Sequence, residues 1–190
     1  MTQEQISPPQ MGHFYHIYNR GNNRQNVFFE RDNYLYFLRL IRQTFVTHNV
    51  DMVAYCLMPN HYHLLVYPKS EHLSQAMKSL SLSYTKAINK RFGRVGALFQ
   101  GRFQRILVTH SDYLVHLVRY IHQNPVKANL VSQPEEWEFS SYLDYAGLRA
   151  GTLPNLELVQ QQFEESDRSS FWANGCLPTH LAFKQLLLDE

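Results

Sequence analysis

The chain has 190 residues, 44% apolar and 18% charged, which is enough for one sizeable core and excludes a disordered, charge-rich protein. No apolar run approaches the roughly 20 residues that cross a bilayer, the opening MTQEQISPPQ has neither the basic nor the apolar part of a secretory signal, and two distant cysteines, Cys56 and Cys176, exclude a disulfide framework and a four-thiolate zinc site. The net charge of +2 is unevenly spread: residues 1–134 carry 15 Lys/Arg against 6 Asp/Glu, a net of +9, and residues 135–190 carry 3 against 10, a net of −7, so a polyanion-binding body with an acidic tail is expected in the cytoplasm.

In chain order, residues 1–12, with Pro8, Pro9 and Gly12, read as a disordered lead. HFYHIYN (13–19) alternates and is rich in aromatics, which predicts a strand ending in the turn Arg20-Gly21-Asn22-Asn23. Tyr34, Leu35, Leu38, Ile41, Phe45 and Val46 have helical spacing and predict a helix over about 31–48. Two apolar runs, 52–58 and 61–67, split by Pro59-Asn60, predict strand, turn and strand. A second helix fits 71–91, with Leu73, Met77, Leu80, Tyr84 and Ile88 three or four apart. After a loop punctuated by Gly93, Gly96 and Gly101 comes a strand over 103–109. Ser111 can cap a third helix running to about Gln123, where Pro125 is expected to stop it.

The order β-α-β-β-α-β-α predicts an α+β fold, a ferredoxin-like antiparallel sheet with helices packed on one face. Pro134, Trp137, Phe139 and Tyr142 read as a segment that packs back on the body. The chain therefore divides into the lead 1–12, a functional domain over 13–147 and an acidic extension over 148–190.

His61 and His63 are two apart on a strand, so both side chains leave one face and their imidazoles can converge on a cation. Two half-buried strand histidines are the plain alternative. Tyr120 and Asn124 share a face of the third helix, beside its apolar stripe of Tyr113, Leu114, Leu117 and Ile121, and His116 lies on that side too. Two imidazoles and an amide oxygen leave positions open for phosphate oxygens and water, which suits Mg²⁺ or Mn²⁺ acting on a phosphodiester.

His61-Tyr62-His63 followed by RYIHQNPVKANLV (119–131) resembles the single-tyrosine HUH transposases, and most closely their REP-associated tyrosine transposase branch. YNRGNN (18–23), MPNHYHLLV (58–66), LFQGRF (98–103) and PEEWEFSSY (134–142) carry the same resemblance, which covers about 13–147. It implies a metal-dependent enzyme that cuts and joins single-stranded DNA at REP-like hairpins, with Tyr120 as nucleophile and His61, His63 and Asn124 as ligands of Mg²⁺ or Mn²⁺. Mobile relatives often have Gln four residues after the tyrosine, whereas the REP-associated branch has Asn, as here at Asn124. The resemblance implies a nucleoid-associated monomer or homodimer with no small-molecule substrate, and it carries nothing over for 150–190. The different-class alternative is a non-catalytic binder of hairpin or single-strand nucleic acid on the same fold.

A phenolate can attack a phosphodiester and hold it covalently, leaving a 5′-phosphotyrosine and a free 3′-hydroxyl. His116 and His122 are the candidate general bases, with surface histidines as the alternative. Between 72 and 134, Asp112 is the sole acid beside nine Lys/Arg. Lys86, Lys90, Arg91, Arg94, Arg102 and Arg105 are candidate phosphate contacts, and Arg20, Asn22, Asn23 and Arg24 form a polar turn that can read bases or the hairpin. Phe92, Phe99 and Phe103 are candidates for base stacking or for core packing.

Overall fold

Alternating side chains make β1 (Phe14–Arg20) two-faced: Tyr15, Ile17 and Asn19 are buried on one side, and Phe14, His16, Tyr18 and Arg20 lie on the other. In the computed structural model, which describes residues 8–109 and 111–160, β1 leads through a short 3-10 turn at Asn22–Arg24 into helix α1 (Arg31–Thr47). Glu30 and Asn33 cap the start of α1 reciprocally. Strands β2 (Val50–Met58) and β3 (His61–Pro68), helix α2 (Leu73–Phe92) and strand β4 (Gln104–Val108) follow. Helix α3 (Ser111–Lys127) and two short helices, α4 (Tyr142–Tyr145) and α5 (Glu157–Gln160), complete the described chain.

The sheet is antiparallel throughout, in the order β2-β3-β1-β4. Each of the units β1-α1-β2 and β3-α2-β4 therefore skips one strand, which is the ferredoxin-like topology expected from the element order. Helices α1 and α2 pack on one face, over Ile17, Leu57, Tyr62, Leu64 and Val66. The expectation of helices on a single face holds for these two and is corrected by the third. Leu114, Leu117, Val118 and Ile121 of α3 pack on the opposite face, against Ala54, Cys56, Met58, Leu65 and Val108. The physical reason lies in β2 and β3, whose central residues are buried without alternation, so both of their faces need cover.

Pro125 does not stop α3 at about Gln123, as expected from sequence; it lies inside the helix, which continues to Lys127. A proline removes the N–H that would bond the carbonyl of Ile121. The Asn124 side chain compensates, its Nδ2 donating to Tyr120 O at 2.8 Å and to Ile121 O at 3.4 Å. The helix closes one turn later, where Asn129 takes a left-handed conformation (φ 53°) and Leu130 N bonds Pro125 O.

The segment after α3 packs back on the body. Leu57 N donates to Phe139 O, Ser141 N to Tyr55 O, and Trp137 Nε1 to Leu57 O, all at 3.0 Å, so the strap covers the outer edge of β2. Phe139 stacks on Tyr34 of α1 with centroids 3.9 Å apart. Beyond it, Asn155 N donates to Met52 O and Val159 is buried in the α3-side core. Residues 1–7 of the expected lead and 161–190 of the acidic extension lie outside the described residues. No helix among the described residues is long and apolar enough to cross a membrane.

Candidate active site

The turn between β2 and β3 is strapped in place before it presents any chemistry. Pro59 O accepts from Val27 N and Phe28 N at 2.8 and 3.0 Å, and Asn60 O accepts from Gly21 N at 2.7 Å. Gly21 is required for another close approach, since a Cβ there would sit 1.9 Å from the backbone oxygen of Gln25. His61 opens β3 beside this anchored turn. Its Nδ1 lies 2.6 Å from Asn60 Oδ1, while Asn60 Nδ2 donates to Arg24 O at 3.3 Å. An amide oxygen can only accept, so His61 Nδ1 carries the proton and Nε2 keeps its lone pair.

His63 points from the same sheet face and is fully buried. Its Nδ1 lies 3.0 Å from Nε2 of His16 on β1, and its Nε2 is buried with no hydrogen-bond partner among the described residues. The rings of His61 and His63 meet edge to face, with centroids 5.0 Å apart. Burial, then the charge of Arg20, pushes the His61 pKa down to about 4. Burial drives His63 well below the ordinary value, helped by His16, His61 and Arg20. Both are therefore neutral imidazoles near pH 7, the form that ligates a cation.

Helix α3 brings Tyr120 to this pair. The ring of Tyr120 meets that of His63 edge to face, with centroids 5.7 Å apart. Asn124 follows one turn later, and because its Nδ2 donates to the backbone, Oδ1 remains as its accepting atom. Lys127, a further turn on, places Nζ 4.8 Å from the centroid of the Tyr120 ring. Arg20, paired with His61 across the β1–β3 ladder, is in electrostatic contact with Tyr120; burial and Arg24 lower its pKa. A phenol between two cations, beside two neutral imidazoles, is equipped to attack a phosphodiester.

The family described as Transposase IS200 like matches residues 10–124, well over half of the chain and a span that includes His61, His63, Tyr120 and Asn124. This chain belongs to that family. A relative in Haemophilus influenzae, named as a REP-associated tyrosine transposase, is 27% identical over 112 residues. That match covers 53% of this chain and 64% of the relative, less than two thirds of the relative's length. Among solved structures, a REP-associated tyrosine transposase bound to a REP hairpin superposes with a TM-score of 0.65 at 21% identity, covering 82% of this chain and 94% of that one. At that identity the likeness is one of fold.

Among the described residues, no group of three His, Cys, Asp or Glu converges to hold a cation. The donor set on offer is two neutral imidazoles with an amide oxygen one helix over. The Nε2 of His63, unpartnered among the described residues, fits that use, and so few protein ligands suit a hard divalent cation that keeps positions for phosphate and water.

The other residues predicted from sequence are divided by the sheet. Arg20 joins the site; Asn22, Asn23 and Arg24 form the exposed turn beside it, with Asn22 N bonded to Leu98 O. Lys86, Lys90 and Arg91 lie on α2, in the layer across the sheet from Tyr120, and Arg94 follows just after it. Arg91 pairs with Glu30 at 2.8 Å and Arg94 covers the ring of Phe29. Arg102 is exposed before β4, whereas Arg105 is buried opposite Ile17, on that strand's side of the sheet facing α1 and α2. Phe99 is buried and Phe103 packs against the same core, while Phe92 is exposed and paired with Phe29.

His116 stands half-buried one turn before Tyr120. His122 is not placed to act as a base: it is buried against Tyr142 and Tyr145, and its Nε2 meets Ser141 Oγ at 2.8 Å. Three residues of the site had no assigned role in the sequence reading: His16, Asn60 and Lys127. The first is a cross-strand partner that sequence spacing does not reveal. The second was visible only as a turn residue, and the third lies beyond the expected end of α3.

Proposed function

We propose that this chain cuts and rejoins single-stranded DNA at hairpins, with Tyr120 as the nucleophile and Mg²⁺ or Mn²⁺ as cofactor. The observation that carries the reading is the placement of Tyr120 against His63, whose Nε2 has no partner among the described residues, with Lys127 over the phenol ring. Family membership and the fold shared with a hairpin-bound relative support it. His61 Nε2, His63 Nε2 and Asn124 Oδ1 would hold the cation, which would supply positive charge to the phosphate in the transition state.

The chain's own residues account for the rest. Tyr120 Oη attacks the phosphorus and gives up its proton to solvent; the bond from phosphorus to the 3′ oxygen breaks, and that oxygen leaves as a hydroxyl after taking a proton. The 5′ phosphate remains on Tyr120, and attack by another 3′-hydroxyl reverses the step and joins strands. Arg20 and Lys127 favour the negative charge that develops around the reacting oxygens.

Incubation of the full chain with end-labelled single-stranded hairpin DNA and Mg²⁺ should give a fragment ending in a 3′-hydroxyl. Cleavage should disappear with chelator and in His63→Ala and Tyr120→Phe. Cleavage that survives Tyr120→Phe, or tight binding without cleavage over many hairpins, would contradict the proposal, the second result favouring a non-catalytic binder.

A further inference from the structure

We infer that His16 is a positioning residue that holds His63 in the tautomer able to bind the cation; the inference rests on the metal reading above. His16 and His63 leave the same sheet face from adjacent strands, His16 standing opposite Leu65 and Tyr18 opposite His63. The two histidines are thus diagonal neighbours, and their rings lie nearly parallel, at 17°, with centroids 5.1 Å apart. His16 Nε2 and His63 Nδ1 are 3.0 Å apart and both rings are fully buried. This is the sole hydrogen bond the His16 side chain makes among the described residues, its Nδ1 being buried without a partner.

A neutral imidazole has one donor and one acceptor nitrogen, so the bond admits two arrangements. If His16 donates, His63 Nδ1 accepts and the proton of His63 sits on Nε2, where it blocks ligation. If His63 donates from Nδ1, His16 Nε2 accepts and His63 Nε2 offers a lone pair. Cation binding is compatible with the second arrangement alone, and His16 supplies the buried acceptor that makes it possible. A ligating histidine whose other nitrogen donates to a fixed acceptor is the usual means of setting ring orientation and basicity. Asn60 does this for His61 at the rim with an ordinary amide oxygen. His16 does it for His63 beneath the surface, where no solvent can take the place of the acceptor.

The test is Mn²⁺ titration of the full chain, read by the electron paramagnetic resonance of free Mn²⁺, for wild type, His16→Leu, His16→Gln and His61→Ala. Nitrogen-15 NMR of labelled histidines with Mg²⁺ reads the His63 tautomer, and circular dichroism checks folding. His16→Leu should weaken Mn²⁺ binding by about 10- to 100-fold, the usual cost of losing such a partner. His16→Gln, whose amide oxygen can accept from His63 Nδ1, should recover most of that loss, and His63 should carry its proton on Nδ1. Unchanged affinity in His16→Leu, equal losses in Leu and Gln, or a proton on His63 Nε2 with the cation bound would each overturn the inference. Should His16→Leu fail to fold, the wild-type tautomer and His16→Gln decide it. Wild-type binding that His61→Ala leaves intact, or no wild-type binding, would instead overturn the metal reading on which the inference rests.

Discussion

Tyr120 is reached by its neighbours from both sides: His63 meets the ring edge-on and Lys127 stands over its face. If Lys127 favours charge on the phenol and the attacked phosphate, Lys127→Met should slow cleavage on the order of tenfold, equivalent to a contact of about 1.4 kcal/mol. Lys127→Arg should retain most of the rate. Because Lys127 is exposed, the thermal midpoint should hardly move in either variant. An unchanged single-turnover rate in Lys127→Met would remove this residue from the mechanism. The residues most legible in the sequence were those joined by a local period: His61 and His63 by the two-residue repeat of a strand, Tyr120 and Asn124 by the four-residue repeat of a helix. His16 was illegible because its partnership depends on the pairing of β1 with β3 and on their register, neither of which a local pattern specifies.

At the scale of elements, two anchors hold the site's scaffold, and each can be loosened separately. Gly21 sits where any Cβ would strike the backbone of Gln25. Gly21→Ala should therefore cost on the order of 1–3 kcal/mol in denaturant unfolding and also weaken cleavage, since the Gly21–Asn60 bond sets the turn that precedes His61. Phe139 on the strap is packed on Tyr34 of α1, on the side of the sheet away from His61 and His63. Phe139→Ala should cost about 3 kcal/mol in unfolding while leaving Mn²⁺ affinity of the folded protein unchanged. Equal effects of the two substitutions on metal affinity would contradict this division. The element order was readable from periodicity and turn residues, and it was enough to give the sheet. The end of α3 was misjudged because a proline's lost hydrogen bond was counted without the Asn124 side chain that replaces it, and Lys127 was missed with that last turn. The position of α3 across the sheet was foreshadowed in VAYCLM, a run too continuously apolar for a strand with one wet face.

For the molecule as a whole, the basic body is divided between two surfaces. Arg20 and Lys127 flank Tyr120, while Lys86, Lys90 and Arg91 lie on α2 across the sheet. A strand that touches both sets must pass round an edge or an end of the sheet, such as the end where Gly21 pairs with Phe99 and Gln100 N bonds Arg20 O. With about six phosphate contacts to a single strand, the logarithm of affinity should fall with that of salt at a slope near −4. If the α2 cations are among them, replacing Lys86 and Lys90 with Ala should make the slope shallower by about 1.4, without changing the cleavage rate at saturating DNA. An unchanged slope would confine DNA to the Tyr120 face.

The central claim is that Tyr120 becomes covalently joined to DNA, and the most direct measurement is mass spectrometry of the adduct. The full chain is incubated with single-stranded hairpin DNA and Mg²⁺ or Mn²⁺, denatured, digested and sequenced by fragmentation. A 5′-phosphodeoxynucleotide on Tyr120, absent with chelator and in Tyr120→Phe, is the predicted result. An adduct on another residue, or no adduct while DNA is bound and the metal site is loaded, would contradict it.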